Sequence, residues 1–114
     1  MPGELVGTLH VAAAGTDTDS LGDASPYHKQ VTQLARDLTI HAPAVLAETA
    51  TIQSQAPGSA SWEDYTEDGA TPITLAAGKA IRISRTSSFG DLRIHLNGGA
   101  AVAHDFPVVA ELCR

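Results

Sequence analysis

Three histidines, His10, His41 and His95, fall on what reads as the polar face of a β-strand. Three neutral imidazoles converging on one point make a catalytic zinc site, with water in the fourth position. That chemistry needs the three strands to be neighbours in one sheet, and the spacing does not dictate strand order. The competing reading is three ordinary surface histidines on half-buried strands. A second metal pattern is Asp17, Asp19 and Gly22, at positions one, three and six of an EF-hand-like loop. Calcium is disfavoured there. Position five is Leu21, which has no side-chain oxygen, and position twelve is His28 where a bidentate Glu is needed.

Nucleophilic catalysis finds no constellation. The serines include none in a Gly-x-Ser-x-Gly elbow. The single cysteine, Cys113, sits at the end of the chain, a poor place to orient a thiolate. His104 and Asp105 are adjacent, so on a strand they face opposite ways. Gly98-Gly99 follows a strand but precedes no helix signal, so it offers no phosphate cradle. Trp62 and Tyr65, beside Glu63, Asp64, Glu67 and Asp68, could present aromatic faces and carboxylates to a sugar. The alternative is that Trp62 caps the core edge and the carboxylates are solvated. No catalytic residue, metal ligand or cofactor is predicted.

Charge is distributed unevenly. Acidic residues gather from Glu63 to Asp68, and basic ones at Arg82, Arg85 and Arg93. Opposite patches on a small domain steer docking, although internal cross-strand pairing would use the same residues. The candidate interface residues are Asp17, Asp19, Glu63, Asp64, Arg82, Arg85 and Arg93.

The elements that must position these groups read as strands. Leu92, Ile94 and Leu96 alternate with Arg93, His95 and Asn97, the period of a half-buried strand. Ile81 and Ile83 alternate in the same way, as do Leu38 and Ile40, and Ala50 and Ile52. Leu5, Leu9 and Val11 are placed on one face near the start, and Phe106, Val108 and Leu112 on one face near the end. Ala56-Pro57-Gly58, Asp68-Gly69, Ala77-Gly78 and Asn97-Gly98 punctuate these runs, supplying the positive φ that tight turns need. At least six strands at such short intervals predict an all-β fold, an antiparallel β-sandwich of jelly-roll-like or related type with little helix. Ser25-Pro26 looks like a helix start, and Val31, Leu34, Ala35 and Leu38 follow helical spacing; an extended segment over 26–36 is the preferred alternative. Residues 12–24 read as a loop or arm with too few apolar residues to pack on its own core.

The 114 residues argue for a single domain, 1–114. With 43% hydrophobic and 18% charged residues the class is globular. Aromatics are 4%, so aliphatic side chains must fill most of the core. A net charge of −6 gains nothing from releasing the counterions of nucleic-acid phosphates, and it disfavours anionic membranes. A lone cysteine excludes an internal disulfide. No signal peptide is expected, and no apolar run approaches a membrane span. Synthesis in the cytoplasm is the expectation.

The stretches Ala50–Gln55, Ser61–Tyr65, Leu75–Ile83 and Asp91–Leu96, with the opening Gly7–Thr16, resemble small β-sandwich structural proteins of tailed-phage virions. The resemblance is one of sequence style over most of the chain. It carries no catalytic motif, so no functional residue transfers. It implies a non-enzymatic capsid decoration (cement) protein. Such a protein is localised to the virion, binds the major capsid protein or other virion proteins, and is a homo-oligomer, trimeric by family analogy. A tail or neck accessory protein is the nearest variant. Sugar-binding cell-surface sandwiches share the Leu-Arg-Ile style of strand, so a carbohydrate-binding module using Trp62 and Tyr65 is the alternative from another class.

Overall fold

The computed structural model describes residues 4–24, 35–56, 58–66, 68–84 and 90–112. Among these residues eight strands and one helical turn follow in order: β1 (Glu4–Val11), α1 (Leu21–Ala24), β2 (Ala35–His41), β3 (Ala50–Gln55), β4 (Glu63–Asp64), β5 (Thr74–Leu75), β6 (Ala80–Ser84), β7 (Asp91–Leu96) and β8 (His104–Leu112). They form an antiparallel sandwich of two sheets. The first runs β1-β8-β2-β6. In the second, β3 is central: β7 pairs with it along Ala50–Gln55, while β4 and β5 pair with it at Gln53–Ser54 and Ala50–Thr51.

Residues 16–18 complete the second sheet. Thr18 N donates to Ile94 O (3.0 Å) and Leu96 N to Thr16 O (2.6 Å), around an antiparallel bridge between Asp17 and His95. The pairs then nest: β1 with β8, residues 16–18 with β7, β2 with β6, and β3 with β4 and β5. Such nesting is the winding of a jelly roll.

Period-two alternation builds the core. Leu38, Ile40, Ile83, Phe106 and Val108 from the first sheet and Ile52, Leu92, Ile94 and Leu96 from the second are fully buried. Ile81, expected inside, is only partly buried against this cluster. Pro107 lacks an N–H, yet it lies within β8 because the pairing with β2 begins only at Val108. In the loop from β7 to β8, Gly98 and Gly99 have φ near +82° and +83°, a region that glycine enters without steric cost.

Two expectations are corrected. Leu5 is 62% exposed, and Val6 takes the inward place with Leu9 and Val11. The cause is a register shift between Leu5 and Gly7 in the β1–β8 pairing: one extra residue reverses which parity faces the core. Residues 12–24 are not an arm lying off the domain. Besides the ladder to β7, Ala14 N donates to Ala100 O (2.7 Å), Ala100 N to Gly15 O (2.8 Å) and Asp19 N to His10 O (3.1 Å). Leu21, on α1, is fully buried in the core. Of the 26–36 segment, only residues 35 and 36 are described, within β2. Arg85 and Cys113 lie outside the described residues, and so does the side chain of Leu112.

Candidate functional site

The histidines are dispersed. His10 on β1 donates from Nδ1 to Asp105 of β8 (2.6 Å), and His95 on β7 donates from Nδ1 to Asp17 (2.7 Å). His41 is exposed at the end of β2. His95 belongs to the other sheet from His10 and His41, so the three imidazoles do not meet. Among the described residues no group of three or more His, Cys, Asp or Glu could hold a metal ion. The Asp17–Gly22 pattern is also used otherwise: Leu21 is core, and Gly22 N donates to Asp91 Oδ1 (2.9 Å).

The charged candidates separate between the two outer faces. Arg82 on β6 pairs with Asp37 on β2, in the first sheet. Arg93 on β7 pairs with Asp17 (3.5 Å) and donates from Nε to Gln53 Oε1 (2.8 Å), in the second. Internal cross-strand pairing therefore occupies both, and they do not share one basic patch. Glu63 and Asp64 are exposed on β4, where Asp64 accepts from Gln53 Nε2 (3.1 Å). Asp19 is exposed. The Arg93 guanidinium also lies 4.5 Å from the centroid of the Trp62 ring, a cation–π contact.

Trp62 and Tyr65 do not form one aromatic surface. Tyr65 packs against the core, whereas Trp62, partly buried, lines a cleft of about 330 Å³ with Ser20, Asp23, Gln55, Asp91 and Arg93. The cleft sits where β3 ends and β7 begins, since Gln55 and Asp91 are cross-strand partners. Asp91 is buried, and its Oδ1 accepts from the N–H groups of Gly22 and Leu92 (2.8 Å).

The opposite ends of β3 and β7 carry a different surface. Loops 12–15, 42–49, 76–79 and 97–103 meet there. Backbone bonds tie 14–15 to Ala100, Thr49 to Asn97, Pro43 to Gly78 and Ala42 to Lys79. Their exposed residues are mostly Ala and Gly, with Val45 75% and Val102 57% exposed. Only two residues of these loops are charged. Lys79 is exposed, whereas Glu48 turns inward, accepting at Oε1 from Ala101 N (3.0 Å) and from His104 Nε2 (3.0 Å). Glu48 Oε2 is buried and has no hydrogen-bond partner among the described residues.

Sequence reasoning missed the Glu48–His104 pair. The signal was present: His104 shares parity with Phe106 and Val108, so it had to face inward and find a polar partner.

No family model, curated protein or solved structure matches this chain.

Two carboxyls are held below the ordinary carboxylate range. For Asp68 the cause is the backbone N–H of Thr71, then that of Ala70, closing its own turn (2.7 and 2.8 Å). For Glu48 it is the backbone N–H of Ala101, then the His104 side chain. A lowered folded-state pKa contributes stability above the unfolded value, and that contribution is lost as pH falls through the folded value. The melting temperature should therefore hold from neutral pH down to about 5 and fall below about pH 4. Melts followed by circular dichroism across this range check it. Asp68→Asn, which keeps an acceptor oxygen but does not titrate, should flatten the acid limb. An unchanged limb would remove Asp68 from the account.

Proposed function

We propose that the chain is a non-enzymatic structural protein of a phage virion, a decoration protein that docks on the capsid shell through the loop end. One observation carries this reading: the chain has a net charge of −6, yet four converging loops expose one charged side chain, Lys79, and two valines. The cores of protein–protein interfaces are depleted in charge, and contiguous exposed apolar surface marks interaction sites. Loops tied together by backbone bonds and by Glu48 present this surface already ordered, which lowers the entropic cost of docking. The resemblance to virion sandwich proteins supplies the partner class.

The test is co-sedimentation of the purified protein with undecorated phage capsids. Saturable binding is expected, weakened at least tenfold by Val45→Asp or Val102→Asp, since each would bury an unpaired charge in the contact. Arg82→Ala, on an outer sheet face, should bind as the parent does. Absence of binding to shells by the intact protein, with binding to isolated tails, would move the assignment to a tail accessory. Equal binding by the aspartate variants would remove the loop end from the contact.

A further inference from the structure

We propose that the cleft at the far end of the sandwich, between Trp62, Arg93 and Asp91, binds a neutral saccharide unit. It lies at the opposite ends of β3 and β7 from the loop surface, roughly 15 Å away at the rise of a strand. A protein docked by its loops would thus leave the cleft facing outward.

The lining selects the ligand class. Small-molecule pockets are mostly apolar, with a few polar groups. Among the described residues the reverse holds here: Ser20, Asp23, Gln55, Asp91 and Arg93 surround a single indole. An apolar ligand would desolvate these groups without replacing their hydrogen bonds. Among the described residues an anion would meet two carboxylates, Asp23 and Asp91, against one guanidinium that already faces Asp17. A cation would seek the aromatic face, but Arg93 already occupies a face of Trp62 at 4.5 Å. A neutral polyhydroxylated ligand fits what remains. Its hydroxyls donate to carboxylates and accept from amide and guanidinium N–H groups, while its C–H face packs on free indole surface.

The site is also built before any ligand arrives. Arg93 is fixed by Gln53 and Asp17, and Gln53 in turn holds Asp64. Asp91 is 3% exposed and anchored at Oδ1 by two backbone N–H groups, while its Oδ2 takes no hydrogen bond among the described residues. An unbonded oxygen of such an anchored carboxylate, lining a cleft, is a ready acceptor for a sugar hydroxyl. At about 330 Å³ the cleft is at the small end of ligand pockets, suited to one or two sugar rings.

The chain has one tryptophan, so its fluorescence reports on this cleft alone. The full chain would be titrated with lactose, maltose, cellobiose and chitobiose, after a glycan array has ranked other sugars. Inorganic phosphate and putrescine serve as the anionic and cationic probes. A saturable change with at least one neutral sugar, at about millimolar concentration or below, is expected. Gln55→Ala and Asp23→Ala, both at the rim, should each weaken it about tenfold without altering the melting temperature. No response to any sugar, a response to phosphate or putrescine alone, or undiminished binding by both variants would overturn the proposal. Capsid co-sedimentation of the same variants should match the parent, so a failure here is separable from a failure of the docking assignment.

Discussion

Deleting residues 12–24 should abolish cooperative folding. This segment would be dispensable if it were a free arm, but the structure makes it the missing strand of the second sheet. Its removal strips β7 of the backbone partners at Ile94 and Leu96. It also leaves the Asp91 carboxylate without Gly22 N and opens the space filled by Leu21. Each exposed pairing edge and buried orphan costs free energy, and a domain of this size has only about 5–15 kcal/mol to lose. Leu21→Ala isolates the apolar part. It should cost about 2–5 kcal/mol in urea unfolding, whereas Asp19→Ala at an exposed position should stay within about 0.5 kcal/mol. Amide exchange gives an independent check: Thr18 and Leu96 N–H groups should be protected as strongly as those of β3. Rapid exchange at both, with a deletion variant that still melts cooperatively, would return the segment to an arm.

That segment also shows where a pattern of residue types stops being informative. β7 was legible because Leu92, Ile94 and Leu96 alternate strictly and all three are buried. Residues 16–18 join the same sheet through main-chain groups and polar side chains, and Thr16, Asp17 and Thr18 carry no apolar signature. One leucine then anchors the whole stretch. Leu5 was misplaced for a related reason: a bulge shifts register without changing composition. The turns were readable because glycine marks positive φ, as at Gly69 and Gly78.

The two ends of the sandwich were less visible still, because each is assembled from distant segments. The acidic and basic runs suggested patches, yet Arg82 and Arg93 fall on different sheets. The Arg93–Trp62 contact depends on how β3, β4 and β7 align, and Gln53 is the residue that registers all three. Only the jelly-roll winding brings loops 12–15, 42–49, 76–79 and 97–103 together, so a run of Ala and Gly that reads as featureless loop becomes one continuous surface. Fold class follows from local periodicity, while a site follows from topology.

Ile94→Ala is expected to lower stability by about 2–5 kcal/mol, the lost burial plus the cavity left behind. Ile94 is fully buried on β7 and lies directly across from Ile52 on β3, which is equally buried. On its other side its main chain pairs with residue 18: Thr18 N donates to Ile94 O, and Ile94 N donates to Thr18 Oγ1 (3.0 Å). With strands holding its backbone on both sides, the site cannot collapse easily around a smaller side chain, which favours the upper half of the range. The melting temperature should drop by roughly 3–6 °C for each kcal/mol lost in a domain of this length. His41→Ala, exposed on β2, is the control and should move neither the urea midpoint nor the melting temperature appreciably. The comparison tests register as well as packing. Slipping β7 by one residue against β3 would turn Ile94 outward and bring Arg93 and His95 into the core. An Ile94→Ala protein that unfolds at the parent midpoint would therefore overturn the β3–β7 alignment, and with it the geometry of the cleft that Gln53 and Arg93 frame.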